Sequence, residues 1–229
     1  MQAGDTARPG SGALPPLTVA IQAGGESRRM GRSKATVPFG GRPLICRLVE
    51  RVDPIAGEIL ITTNEPENLG FLSDMPQAPR IRLERDVCDF RGSLAGLYTA
   101  LSKASNDFVA VCACDMMDVS AALFSAELER AVAGGHDVVV PVNDQGFEPF
   151  HAVYRRSTCL EAVVAALGRG DRSLKKGMVL NPDLDVCYFP MREVFEVVPD
   201  GGCFANCNTP EELRRAEQRV FGAPLAQGV

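Results

Sequence analysis

Histidine is almost missing from this chain of 229 residues, with only His136 and His151 present. Neither lies beside cysteines at zinc-ligand spacing, so a Cys/His metal centre has no support. No Ser-His-Asp or Cys-His pattern points to a protein nucleophile either. Long apolar runs are lacking, and nothing approaches the ~20 residues a bilayer-spanning helix needs. Basic excess is lacking as well: the net charge is −5, which argues against general nucleic-acid binding. Both G-x-G-x-x-G and G-x-x-x-x-G-K-[ST] are missing, so neither the dinucleotide fingerprint nor the P-loop applies.

Cysteine is plentiful instead: Cys46, Cys88, Cys112, Cys114, Cys159, Cys187, Cys203 and Cys207. A secreted disulfide scaffold would be much shorter and would start with a signal peptide. Residues 1–16 are rich in Gly, Pro and Ala with no apolar core segment, and read as a disordered leader. The thiols are therefore expected to be buried and reduced, in a cytoplasmic protein. A hydrophobic content of 45% is ample for a core. One domain over 17–221, followed by a tail at 222–229, is the economical organisation.

Short apolar runs alternate with helical patterns. Strands are expected over 17–22, 58–63, 80–84, 108–113 and 137–142, rich in Val and Ile and bounded by turn residues. Helices are expected over 43–52, 93–104 and 120–133. This order describes an α/β fold with a mainly parallel sheet covered on both faces. Further on, 147–154 reads as a strand, 157–167 as a helix and 184–198 as strand material around Pro190. Thr209-Pro210-Glu211-Glu212 starts a last helix, with Thr as N-cap and Pro at the first helical position.

The strongest local signal is Gln22-Ala23-Gly24-Gly25-Glu26-Ser27-Arg28-Arg29-Met30-Gly31-Arg32-Ser33-Lys34, directly after the first strand. Paired glycines let backbone N–H groups approach an anion, and Arg28, Arg29, Arg32 and Lys34 add charge. Such a loop also occurs as a plain turn with a solvated basic surface. In parallel sheets, ligands bind beyond the carboxyl ends of the strands. There Asn64 follows the second strand, Asp86 the third and Asp115 the fourth.

Asp115 ends a run buried on both faces, so its carboxylate needs a partner. It could cap a turn, or it could hold Mg²⁺, which takes one or two carboxylates together with substrate phosphates. A phosphate loop on the same edge favours the metal. Asn64 and Asp86 are turn formers or readers of a base or sugar hydroxyl. Ser93 to Gly96 opens a helix whose N–H groups and small side chains admit a close ligand. Asn206 and Asn208 precede the last helix, where they either satisfy local backbone or meet a second substrate.

Taken together, Ala23-Gly24-Gly25, Arg29-Met30-Gly31, Lys34, Gly41-Arg42-Pro43-Leu44, Ser93-Leu94-Ala95-Gly96, Cys114-Asp115 and Asn206-x-Asn208-Thr209-Pro210-Glu211-Glu212-Leu213 resemble the molybdenum cofactor guanylyltransferase (MobA) family, from about Val19 to about Val220. The resemblance implies a Rossmann-like three-layer α/β/α nucleotidyltransferase fold and Mg²⁺-dependent (or Mn²⁺-dependent) transfer of GMP from GTP to molybdopterin. On the matching positions it implies Arg29, Lys34 and Asp115 as catalytic, with Asp115 as the metal ligand. Nucleotide contacts fall on Gln22, Ala23, Gly24, Gly25, Lys34, Asn64, Asp86, Ser93, Gly96 and Asp115, and acceptor contacts on Asn206 and Asn208. The implied partners are GTP and molybdopterin, with room for a cofactor-delivery protein, and neither nucleic acid nor membrane. Three departures stand out: Gln22 where the family has Leu, Ser93 where it has Pro, and Met116-Met117-Asp118 where it has a Pro-containing turn. Alternatives are a cytidylyl- or sugar-phosphate nucleotidyltransferase of the same fold, and a non-catalytic nucleotide-binding relative.

Overall fold

The computed structural model describes residues 13–24, 34–87 and 92–222. Most of the leader, the tail beyond residue 222, Cys88, and the loop residues Gly25, Arg28, Arg29, Met30, Gly31 and Arg32 lie outside the described residues. In chain order the elements are β1 (Leu17–Gln22), β2 (Pro38–Phe39), β3 (Arg42–Pro43), α1 (Leu44–Val52), β4 (Ala56–Thr62), β5 (Ile81–Glu84), α2 (Ser93–Lys103) and β6 (Phe108–Ala113). They continue with α3 (Ala121–Gly134), β7 (Val138–Asn143), β8 (Gly146–Phe147), β9 (His151–Arg155), α4 (Arg156–Gly168), β10 (Val186–Pro190), α5 (Met191–Val197) and α6 (Pro210–Phe221).

Seven strands pair in the order β10-β7-β9-β6-β1-β4-β5, with β8 added on β7. Only β9 and the short β8 run against the rest; β1 is parallel to both of its neighbours, β4 and β6. Alternation along β1 explains the layers. Val19 and Ile21 face the core cluster that also holds Leu48 of α1, Phe124 of α3 and Val194 of α5. Ala20 faces the other way, with Leu94 and Leu97 of α2 and Val163 of α4. A strand buried on both faces has no polar register to slip into, so its position is strongly set.

Helix boundaries follow local chemistry. Ser120 caps α3 by accepting from the Leu123 N–H, and Gly135 closes it in the left-handed region at φ 72°, where a side chain would be strained. At α6, Thr209 and Glu212 form the expected capping box around Pro210.

Two expectations are corrected. The strand expected over 147–154 is broken, because Pro149 has no N–H for a ladder and the chain turns there: the His151 N–H donates to the Glu148 carbonyl at 2.9 Å. The stretch 184–198 is strand only through Pro190, which stands before α5 in extended conformation (φ −73°, ψ 152°). Beyond it, Val194 turns inward to the core, and the β-favouring Val and Phe residues yield to that tertiary contact. Cys203 lies in a short 3₁₀ turn, Gly202–Phe204.

The seven described cysteines are free, and all but Cys187 are buried. Burial pushes the Cys114 thiol up to about 12, which keeps it protonated and unreactive. Among the described residues no helix is long and apolar enough to cross a membrane.

Candidate active site

Because β1, β4, β5 and β6 are parallel, their carboxyl ends line one edge, and the backbone ladder continues past them. The Ala23 N–H donates to the Thr62 carbonyl (2.8 Å), the Thr63 N–H to the Glu84 carbonyl (2.9 Å) and the Cys114 N–H to the Gln22 carbonyl (3.0 Å). Gln22 to Gly24, Asn64, Asp86 and Asp115 therefore leave from a rigid rim.

At one end of the rim three residues far apart in the chain meet. Lys34 Nζ donates to Asp115 Oδ2 at 2.7 Å and to Asn208 Oδ1 at 2.8 Å. The Lys34 and Asp115 side chains are each 19% exposed, so the pair is shielded but open to a ligand. Asn208 is anchored by its N–H to Glu212 Oε2 (2.7 Å) at the start of α6. The Asp115 carbonyl accepts from the Cys207 N–H (3.0 Å), and Met116 pairs with Asn206 in an isolated antiparallel bridge. The Asp115 segment and the asparagine loop thus form one unit, with Asn206 exposed on it.

A carboxylate and an amide oxygen converging on an ammonium make an oxygen-lined cation position. Among the described residues no cluster of three acidic, histidine or cysteine groups exists. That donor set is too small for a self-sufficient cage and suits Mg²⁺, which keeps waters and substrate phosphates in its shell.

The segment after Asp115 is clamped from outside. Arg47 Nε donates to the Met117 carbonyl (3.2 Å), Arg51 Nε to the Val119 carbonyl (2.8 Å) and Arg51 Nη2 to the Asp118 carbonyl (3.1 Å). The Asp118 carboxylate accepts from Arg47 (3.0 Å) and Arg219 (3.1 Å). Met116 and Met117 are buried beneath. These three arginines, unforeseen in the sequence, stiffen a turn that contains no proline. Arg47 and Arg51 are one helical turn apart on α1, which is the only sequence signal of the clamp.

At the other end lie Gln22, Gly24, Asn64, Asp86 and Gly96. A Cβ on Gly24 would come to 2.7 Å from Asp86 Oδ2 and 3.7 Å from Asn64 Nδ2, so a side chain here would push the Asp86 carboxylate out of its present place. The Gln22 side-chain amide lies against Gly96 and would have to shift to admit a Cβ there. Burial pushes the Asp86 carboxyl up, while Thr99 and Asn64 pull it back.

Ser93 departs from expectation. Its hydroxyl donates to the Arg172 carbonyl (3.4 Å) and accepts from the Leu174 N–H (3.3 Å), and the Arg172 carbonyl also takes the Leu94 N–H (3.3 Å). The first turn of α2 is therefore capped by residues 172–174 and does not present an open row of donors. Leu94 is buried under that segment, and burial there requires its N–H to be paired.

The raised Asp86 pKa gives a signed prediction. A carboxyl whose pKa is raised by folding contributes stability that is present below its unfolded pKa and lost as pH rises through the folded value. Asp86→Asn is therefore expected to melt higher than wild type at pH 7, by about 2–4 °C for each kcal/mol recovered. The difference should shrink towards pH 4, while affinity for nucleotide falls. Thermal melts across pH check it, and a variant less stable than wild type at pH 7 contradicts it.

The MobA-like NTP transferase domain model matches residues 19–181. The molybdenum cofactor guanylyltransferase of Desulfosudis oleivorans is 35% identical over 210 residues, covering 89% of this chain and 96% of that protein. The molybdenum cofactor guanylyltransferase of Pseudomonas putida is 35% identical over 208 residues, covering 88% and 98%. Among solved structures, the molybdopterin-guanine dinucleotide biosynthesis protein A of Archaeoglobus fulgidus superposes with a TM-score of 0.73 at 27% identity, covering 88% of this chain and 97% of that one. The 4-diphosphocytidyl-2C-methyl-D-erythritol synthase of Anaerococcus prevotii shares the fold alone, with a TM-score of 0.67 at 11% identity over 90% of this chain and 98% of that one.

Proposed function

The chain belongs to the MobA-like NTP transferase family, and we propose that it transfers GMP from GTP to molybdopterin with release of pyrophosphate, the activity for which its relatives are named. The observation that carries this reading is the meeting of Lys34, Asp115 and Asn208. It joins the end of the glycine-rich loop, the carboxylate and the asparagine loop at one point, where donor phosphates and acceptor phosphate must also meet.

In the reaction an oxygen of the acceptor phosphate attacks the α-phosphorus of GTP in line. The bond from that phosphorus to its bridging oxygen breaks, and pyrophosphate leaves with the electron pair. Negative charge grows on the bridging oxygen, so the protein must supply positive charge already in place. Lys34 provides it from a position fixed by two bonds, and Arg29, outside the described residues, is assigned the same role by the family resemblance. Asn206 and Asn208 orient the acceptor from the loop welded to Asp115. Asp86 and Asn64 hold the nucleoside against Gly24. The acceptor phosphate is already ionised, so no protein nucleophile or general base is needed. Mg²⁺ or Mn²⁺, bound by Asp115, would neutralise phosphate charge.

Pyrophosphate release measured with molybdopterin and each of GTP, CTP, ATP and UTP tests the proposal. Release is expected with GTP and Mg²⁺ and should fall to background without the acceptor. Turnover with CTP in preference to GTP would replace this reading with a cytidylyltransferase on the same fold. GTP binding with no release would replace it with a non-catalytic relative.

A further inference from the structure

Five buried side-chain polar atoms have no hydrogen-bond partner among the described residues, and three of them, Gln22 Nε2, Thr62 Oγ1 and Asp86 Oδ1, belong to the same rim. Gln22 and Thr62 are register partners on β1 and β4. Both continue the face of Ala20 and Leu60 and so point to the α2 side of the sheet. The Gln22 amide lies on Gly96. Asp86 is held beside Thr99, three residues further along α2 and on the same helical face. Unpaired buried polar atoms are costly and rare in a folded protein. Three of them on one rim, beside Gly24 and Gly96, form a polar edge with bonding capacity left over for a ligand.

Resting on the guanylyltransferase reading, we propose that the Gln22 side chain is a specificity-determining group that donates from Nε2 to the 6-oxo oxygen of the guanine base. Asp86 takes the adjacent ring N–H and 2-amino donors. An adenine in the same pose sets its 6-amino hydrogens against the Gln22 N–H and is rejected. Gly96 is required because any side chain there would displace the amide that reads the base. A pocket built to pair with a substrate polar group discriminates strongly against an analogue lacking it, since its own group is then left unpaired.

The test is nucleotide binding by calorimetry in the presence of Mg²⁺ and without acceptor. The probes are GTP, ATP and the triphosphate of 2-aminopurine riboside, which lacks the 6-oxo group. Gln22→Leu removes an unpaired buried donor from the free protein and is expected to fold. It should weaken GTP binding about tenfold, leave the 2-aminopurine nucleotide unchanged, and narrow the gap between GTP and ATP. Gln22→Glu puts an acceptor where the donor stood and should weaken GTP further, which provides a second measurement if the leucine variant does not fold. Wild-type preference for GTP with unchanged GTP affinity in both variants overturns this inference and leaves the guanylyltransferase reading standing. Equal weakening of GTP and the 2-aminopurine nucleotide also overturns it. Wild-type preference for a pyrimidine nucleotide overturns both readings.

Discussion

Asp115→Asn is expected to lower turnover by about 10²–10³-fold with the fold intact, the scale of a lost transition-state electrostatic contact. Asparagine fills the same space and keeps one side-chain oxygen that can accept from Lys34 Nζ, now at 2.7 Å. The backbone bond from Cys207 to the Asp115 carbonyl and the arginine clamp on residues 117–119 do not involve the altered atoms. Only the negative charge is lost, and with it the anionic ligand proposed for Mg²⁺. Lys34→Ala is expected to cost a similar factor, because it removes the charge proposed to face the phosphates and releases Asn208. As the two residues act as one unit, the double variant should lose little more than either single one. Pyrophosphate release under saturating GTP, with thermal melts to confirm folding, gives the answer. Near-wild-type turnover in Asp115→Asn contradicts the site as assigned.

Where each link was legible depends on the range over which it acts. β1 could be read from the run Leu17-Thr18-Val19-Ala20-Ile21, and α6 from the Thr, Pro and Glu of its first turn, because these signals are local. The carboxyl-edge residues Asn64, Asp86 and Asp115 were reachable because a parallel sheet puts successive strand ends on one side. What joins them was not. Lys34 and Asn208 are 174 positions apart, and no spacing rule connects a loop lysine to an asparagine beyond the sheet. The partners of Ser93 are not legible in the sequence because the segment that meets the start of α2 arrives from residues 172–174. α5 carries strand-like residues because Val and Phe favour strands until a tertiary contact decides otherwise. In each case the missing information was a long-range contact.

His151 is where such a contact bears most heavily on stability. It is fully buried at the start of β9, its ring stacked on Phe124 at 4.0 Å between centroids and edge-on to Phe204 at 5.5 Å. The Ser120 N–H donates to its Nε2 (3.2 Å), so the proton sits on Nδ1, facing Glu127 Oε1 at 3.3 Å. One neutral ring thus joins the N-cap of α3, at the end of the Asp115 segment, to the turn that leads into Asn206. His151→Ala opens a cavity between three elements and leaves the Ser120 N–H unpaired. It also removes the only described partner of a carboxyl whose pKa burial has pushed well above the ordinary range. The expected loss is about 3–5 kcal/mol, the sum of a large-to-small core change and an orphaned donor. Acid gives a separate signature. Burial pushes the pKa of His151 down to about 3, against about 6.5 in an unfolded chain. A base depressed by folding contributes stability that is full above its unfolded pKa and is lost as pH falls through the folded one. The wild-type protein should therefore lose stability on acidification from about pH 6.5 towards about pH 3. His151→Gln, which can still accept from Ser120 but does not titrate, should flatten that slope; Glu127 acts in the opposite sense, its neutral form being favoured as pH falls. Urea unfolding at pH 5 and pH 7 separates the cases, and an equal pH dependence in wild type and His151→Gln contradicts this assignment of the buried ring.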